Sequence, residues 1–468
     1  MSWGLGVRMA GFATLTILVG VALFFVLGRL RGAGFEKNVA GGGLHSRPLY
    51  HGAFAAAWFG IPATLLLLVW LFAQGRVLDT LIQNSLSASF VAGKSAQEMD
   101  LAISQVRQLA RGVSFGEPSA EIAAAAATLR SWTQIADMAM VASVAGIGAL
   151  LALIALLRLK PQFWARNKFE GIITGVMVAC AAVAIITTFG IVASLVFEAA
   201  RFFEKVPISE FITGLKWEPQ IAIREDQVAG AGAFGAIPVF TGTLLIAFIA
   251  MVVATPIGLY TAIYLSEYSH PAVRNTVKPV LEILAGVPTV VFGFFAMLVV
   301  TPAIVAWFKT MGIPVSPNPA LSAGFVMGIM IIPFISSFAD DALRAVPMSM
   351  REGSYALGAT RAETISKVLI PAAIPGIAGG LLLAVSRAIG ETMIVVMAAG
   401  LIATLTINPL DSVTTTTVQI VSLLTGDSEF DNAKTLSAFA LGLLLFLVTL
   451  VLNVIALMTV RKYREQYE

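Results

Sequence analysis

Apolar runs nearly free of Asp, Glu, Lys and Arg recur along the chain at about 9–27, 53–73, 138–157, 172–197, 237–265, 281–308, 321–338, 376–405 and 436–460. About 20 apolar residues, each rising about 1.5 Å, cross a hydrocarbon core about 30 Å thick, so each run predicts a membrane-spanning helix. Helices are required because lipid offers backbone N–H and C=O groups no partner outside the helix itself. The pattern predicts an all-α integral membrane protein with about nine transmembrane helices. A polar stretch at about 76–137 separates the second and third runs. Within it 96–111 and 119–132 lack Pro and are rich in Ala, Leu, Gln and Glu, which predicts an external helical hairpin turning at Glu117 and Pro118. Residues 1–165 then form an N-terminal membrane extension of three helices, and 166–468 hold the six remaining spans.

Composition agrees with the pattern. Of 468 residues 58% are hydrophobic and 12% charged, against about 25% charged in soluble domains. The net charge of +3 is spread over many loops, so it reports membrane topology and points to no nucleic-acid partner. Arg29, Arg31, Lys37 and Arg47 in one connection, and Arg158, Lys160, Arg166 and Lys168 in another, mark short basic loops of the cytoplasmic kind. Alternation across nine spans puts Arg274, Lys278, the stretch 339–375 and Arg461, Lys462 and Arg464 on that same side. The acidic loops holding Glu198, Glu204, Glu210, Glu218, Glu225 and Asp226, and Asp411, Asp427, Glu429 and Asp431, fall on the opposite face. The N-terminus is therefore expected outside and the C-terminus in the cytoplasm. The run within 1–27 is read as a retained helix, because no small-x-small cleavage site follows it before Arg29.

Candidate metal or redox chemistry is sparse. Cys180 is the single cysteine and sits in an apolar run, while His45, His51 and His270 fall at loop edges with no spacing that sets two ligands on one helix face. No nucleophile, base and orienting group assemble from these loops, so the chain is not expected to be an enzyme.

The most informative segment starts at Glu352 and reads EGSYALGATRAETISKVLIP. Glu352 is expected to open a helix, where its charge favours the positive dipole end. Gly358 permits a break, a second helix starts near Arg361, and Pro371 is expected to stop it. Ala356, Leu357, Ile365, Val368 and Leu369 supply a short apolar face, suited to a partner's groove or to a bed of lipid headgroups.

This segment resembles the EAA loop of ABC importer permeases, in which E-A-A is followed after three residues by G and, after nine more, by I-x-L-P. Glu352, Gly353, Ser354, Gly358, Val368, Ile370 and Pro371 keep that spacing, with small residues replacing the two alanines and aliphatic ones replacing Ile and Leu. The resemblance implies a coupling helix that docks into a cytoplasmic ATPase subunit through Glu352, Gly353, Ser354, Gly358, Ala359, Thr360 and Pro371. It also implies a type I ABC importer core over 166–468, with the coupling loop at about 339–375. The chain has no GxxxxGK[ST] loop to cradle nucleotide phosphates, so ATP is expected to be used by a partner and no cofactor to be bound here.

Further segments carry a resemblance to phosphate permeases. They are Phe211 to Pro219 with Phe234 to Pro238 and Thr241 to Thr243, Glu282 to Phe295, and Ser386 to Met393, the last similar to the fifth core helix of the PstC type. The resemblance covers roughly residue 168 onward and leaves the first three helices outside the short form of the family. It implies an ATP-driven inorganic phosphate importer of the bacterial inner membrane, with a PstA-like second permease, PstB-like ATPase subunits and a PstS-like periplasmic binding protein as partners.

Arg387 and Glu391 form the one strongly ionisable pair deep in an apolar run. An unpaired central charge costs at least about 2.5–3.5 kcal/mol on insertion scales. Spaced four apart, they are expected to share a helix face and neutralise each other. The planar fork of Arg also matches phosphate oxygens, which makes Arg387, Glu391 and Thr392 candidates for the substrate path. Read from the residues alone, a pair that locks helix packing is the alternative. Pro256, Gly258, Gly286, Pro288, Pro302 and Pro333 could free backbone groups to line that path. Other readings are a permease for molybdate or sulfate, and an ion-coupled secondary transporter using Arg387 and Glu391 as a proton-coupled pair, which the EAA-like loop opposes.

Overall fold

The computed structural model describes residues 3–38, 45–86, 96–113, 119–220, 232–425 and 431–464. They fall into two compact units, Met1–Ile185 and Ile186–Glu468. Among the described residues nine helical segments are long and apolar enough to cross a membrane. Each overlaps one of the nine apolar runs.

The first unit contains α1 (Trp3–Asn38), α2 (Pro48–Ser85), α3 (Ala96–Ala110), α4 (Ala120–Arg158) and the first part of α5 (Ala165–Phe203). Its core is closed by Phe59 of α2, whose ring fills space left by two glycines: a Cβ at Gly20 would lie 2.1 Å from the ring and one at Gly148 would lie 3.0 Å from it. Small residues let helices approach where lipid provides no hydrophobic drive. At 38 and 39 residues, α2 and α4 extend to about 57 Å, well beyond a hydrocarbon core of about 30 Å. Their turns beyond the apolar runs, with α3, bury Ile82, Val106, Ala125, Ala126 and Leu129. An ion pair between Asp79 and Arg107 ties α2 to α3.

Where the hairpin was expected, α3 packs on the first turns of α4, which Ser119 caps by accepting from the Ile122 N–H. The turn at Glu117 and Pro118 lies outside the described residues. At the base of this small bundle the buried carboxylate of Asp137 accepts a 2.9 Å hydrogen bond from Gln74. His51, expected at a loop edge, instead lies in the first turn of α2. It is fully buried, with its ring against the α1 backbone near Gly32.

The second unit holds the rest of α5, then α6 (Ile208–Thr213) and an antiparallel pair, β1 (Trp217–Glu218) with β2 (Ala233–Phe234). Next come α7 (Ile237–Ile263), a π-turn (Tyr264–Tyr268), α8 (Pro271–Ala285), α9 (Thr289–Phe295), a π-turn (Ala296–Val300) and α10 (Thr301–Thr310). The remainder is α11 (Ala320–Ala345), α12 (Met348–Ala356), α13 (Arg361–Thr364), a π-turn (Ile365–Leu369), α14 (Ile370–Ile389), α15 (Met393–Ala398), α16 (Thr416–Thr425) and α17 (Ala433–Arg464). The centre of the unit is the α7–α11 pair. Cβ atoms at Gly258, Gly324 and Gly328 would come within 2.9, 2.7 and 2.9 Å of Ile335, Ile249 and Val253, so three branched side chains sit directly on opposing backbone.

Two of the π-turns end two residues before a proline, Pro302 and Pro371. A proline has no N–H to donate and its ring crowds the carbonyl four residues back. The wider i→i+5 turn just before it absorbs that defect without ending the helix. Pro371 therefore does not stop the helix that starts at Arg361; one spanning segment runs from Arg361 to Ile389. The expected span at 281–308 is broken instead. Gly286 ends α8 and Pro288 caps α9, leaving α8 as a separate helix with no fully buried residue and the span as Thr289–Thr310. The span expected at 376–405 likewise ends at Ile389, after which the chain folds back through α15 and an extended segment in which Val413, Thr414 and Thr415 are buried.

Candidate functional site

The loop between α11 and α14 is built from local rules. Pro347, not Glu352, opens α12; Glu352 lies exposed in its second turn because proline at the N-cap sets the helix start one turn earlier. At the other end the N–H groups of Leu357, Gly358 and Ala359 donate to the carbonyls of Gly353, Tyr355 and Ser354. This closure puts Gly358 at φ +83°, in the left-handed region. Thr360 then caps α13, with its side chain accepting from the Glu363 N–H and the Glu363 carboxylate accepting from the Thr360 N–H. A buried 2.9 Å hydrogen bond between the Ser354 and Thr364 hydroxyls joins the two short helices.

The apolar face expected here is divided by the fold. Ile365 and Leu369 are buried in a cluster with Ala262 and Leu343, whereas Leu357 is 91% exposed at the tip beside Gly358. An open groove of ≈ 560 Å³ is bordered by Met350, Leu357, Gly358, Glu363, Lys367 and Val368. Gly353 has open space around it, and Pro371 stands in the first turn of α14.

Two buried carboxylates hold this loop and the neighbouring helix ends in place, and neither was singled out from the sequence. Glu267, in the π-turn after α7, is 4% exposed at its side chain and accepts a 2.7 Å hydrogen bond from Arg351 of α12. The same guanidinium donates at 2.9 Å to the carbonyl of Leu343 in the last turn of α11. Asp340 of α11, also 4% exposed, meets Arg274 and Lys278 of α8 at 2.8 Å each and Arg344 at 3.4 Å. Its hydrogen bond holds the Lys278 ammonium above the ordinary lysine range, with burial pulling the other way. The available signal was an acidic residue at the end of each of two apolar runs. Pairing each with its basic partners required the fold.

The intramembrane residues are arranged differently from the expected helical pair. The α14 helix ends at Gly390, so Glu391 leaves the face that carries Arg387. Glu391 accepts from the N–H groups of Met393 at 2.9 Å and Ile394 at 3.4 Å, capping the first turn of α15. Among the described residues no ion pair joins it to Arg387. The Arg387 guanidinium is exposed and stands 5.7 Å from the centre of the Phe334 ring. Thr392 stays at the break, partly buried, with its hydroxyl toward the Gly390 carbonyl at 3.5 Å.

A buried polar network supports that break. Thr417 donates to the Glu391 carbonyl at 2.8 Å, Thr416 pairs with Thr243 of α7, and Gln419 links Trp217 to the carbonyl of Leu401. Of the expected kink residues, Pro256 and Pro333 lie inside α7 and α11 and Gly258 serves close packing. The chemistry of the site follows from Arg387. A charge on a membrane-spanning segment persists when it faces protein or water and has a partner, and an exposed planar fork over an aromatic ring is complementary to an oxyanion.

Comparison with known proteins agrees along both units. Residues 14–187 match a family described as phosphate ATP-binding cassette transporter, and residues 254–465 match the binding-protein-dependent transport system inner membrane component. A probable ABC transporter permease protein of Bacillus subtilis, YqgH, is 33% identical over 276 residues, 58% of this chain and 85% of that protein. The phosphate transport system permease protein PstC of Pasteurella multocida is 32% identical over 249 residues, 49% of this chain and 76% of its own length. PstC 1 of Mycobacterium tuberculosis is 32% identical over 277 residues, covering 54% of this chain and 81% of that one.

Proposed function

Because the chain belongs to the PstC-like phosphate ABC transporter permeases, within the inner membrane components of binding-protein-dependent transport systems, we propose that Arg387 lies on the path taken by inorganic phosphate. The chain is a multi-pass, non-catalytic component of the inner membrane, and ATP is hydrolysed by a separate subunit of the transporter. The observation that carries the proposal is the exposed Arg387 guanidinium on a membrane-spanning helix, over Phe334 and without a carboxylate partner among the described residues. It faces a cavity completed by a PstA-like second permease, where a phosphate oxyanion supplies the missing negative charge. Glu391 and Thr392 shape the break beside it.

Coupling runs through the α12–α13 loop, with Glu352, Gly353, Ser354, Gly358, Ala359, Thr360 and Pro371 forming or supporting the segment that docks into a PstB-like ATPase. Leu357 at its tip enters the partner's groove. A PstS-like protein delivers phosphate from outside. The orientation that fits has the N-terminus outside and the C-terminus, the loop and α8 on the cytoplasmic face. Residues 1–165 are an extension joined to a permease core that starts near 166. Uptake of radiolabelled phosphate by the reconstituted complex tests the substrate role. Arg387→Gln is expected to abolish uptake while the complex assembles, since the amide retains hydrogen bonding but loses the charge and the fork. Undiminished uptake by that variant refutes it.

A further inference from the structure

We propose that Arg351 is a positioning residue that transmits movement of the coupling loop to the membrane helices, by holding α12 at once to the π-turn ending α7 and to the last turn of α11. The inference rests on the reading of the α12–α13 loop as the ATPase-docking segment and extends it inward.

Arg351 shares one guanidinium between two acceptors on two other elements. One Nη donates at 2.7 Å to the Glu267 carboxylate and the second donates at 2.9 Å to the Leu343 carbonyl. Both ends of the ion pair are shielded, with side-chain exposures of 16% and 4%. A bond in this setting is screened weakly by water and salt, unlike the exposed pair formed by Lys367 and Glu363 on the same loop. The second half of the loop grips the same π-turn: the Arg361 guanidinium stands 5.2 Å from the centre of the Tyr268 ring. The buried Ser354–Thr364 hydrogen bond makes the two short helices of the loop one body.

The receiving element is suited to the task. Glu267 lies in a wide turn at the foot of α7, and α7 is locked to α11 by the glycine contacts at Gly258, Gly324 and Gly328. Displacement of α12 therefore pulls on two helix ends that are already fastened to each other. A surface loop that merely rested on the helices would need no buried charge pair. Such a pair gives little net stability, because desolvation of both ions opposes their attraction. What it provides is a directional, short and charge-assisted connection.

Arg351→Lys separates this role from folding. Lysine keeps a positive charge beside Glu267, so no buried carboxylate is stranded, but a compact ammonium lacks the fork that meets the carboxylate and the carbonyl together. The measurement is phosphate taken up per ATP hydrolysed by the complete complex in proteoliposomes, with subunit composition checked by co-purification. Arg351→Lys is expected to leave assembly and hydrolysis near wild type and to lower uptake per ATP by about tenfold, the factor matching loss of one charge-assisted hydrogen bond. The double variant Glu267→Gln with Arg351→Gln, which leaves neither partner of this pair charged, is expected to assemble and to be equally uncoupled. Wild-type uptake per ATP in the assembled Arg351→Lys complex overturns the inference, as does a parallel loss of assembly and hydrolysis in both variants. A cross-link from Leu357→Cys to the co-purifying ATPase is the control for the underlying reading. Its absence removes the docking loop and this inference together, whereas a cross-link with wild-type coupling in Arg351→Lys removes this inference alone.

Discussion

Replacement of Gly358 isolates a backbone effect at the point where the α12–α13 loop, proposed above to dock the ATPase, turns. The residue sits at φ +83°, and a Cβ built there meets nothing within 4 Å. A Cβ therefore overlaps nothing inside this chain, and the effect of Gly358→Ala comes from forcing an L-residue into the left-handed region. That costs about 1–2 kcal/mol for an ordinary side chain, less for Asn, and more for a β-branched residue. A loss of this size lowers the population of the native turn by about 5–30-fold. Phosphate uptake and ATPase association of the purified complex should therefore fall in the order Gly, Asn, Ala, Val. Gly358→Trp is expected to be worst, because it adds bulk at a surface that must enter a partner's groove. Binding of the external phosphate-binding protein should survive in every variant. Gly358→Val with wild-type uptake and wild-type ATPase association would refute both the conformational reasoning and the docking role.

Three further outcomes are expected. The variant carrying both Arg387→Gln and Glu391→Gln should assemble, because the amide replacing the Glu391 carboxylate retains an acceptor for the N–H groups of Met393 and Ile394, yet remain inactive in uptake; restored uptake would leave the pair with a packing role alone. A reporter fused after residue 468 should be active only as a cytoplasmic fusion, and protease added outside should reach 96–137; protection of that stretch in spheroplasts would overturn the orientation. The Asp431 carboxyl is held below its usual range, chiefly by its hydrogen bond from Arg201. Its contribution to stability is therefore present above the unfolded pKa of about 3.9 and lost as pH falls through the lower folded value. Thermal unfolding of Asp431→Asn should be displaced from wild type at neutral pH and converge with it at acid pH; a constant separation across that range would contradict the assignment.

The α12–α13 loop was legible as a spacing motif and only partly legible as a structure. The spacing of Glu352, Gly358 and Pro371 located the turn, and Gly358 adopts the conformation that glycine permits. The predicted helix limits moved because Pro347 starts α12 before Glu352, and a π-turn carries the later helix through Pro371. Arg387 and Glu391 were found as an ionisable pair in an apolar run, and their pairing was inferred from continuous helical spacing. The break at Gly390 removed that spacing and gave Glu391 two backbone donors instead.

What the sequence determined by itself is the membrane class and the existence of nine apolar segments long enough to span. Those follow from a local requirement: each segment must be long and apolar enough to satisfy its own backbone in lipid, whatever its neighbours do. The tertiary structure decided which prolines break a helix and which are absorbed, and which charges meet. Arg351 and Glu267 are 84 residues apart and Arg274 and Asp340 are 66 apart. Their pairing depends on how α7 and α8 meet α11 and α12, and the glycine contacts set the register of α7 against α11 through close packing between distant segments. No periodicity within either segment encodes that register.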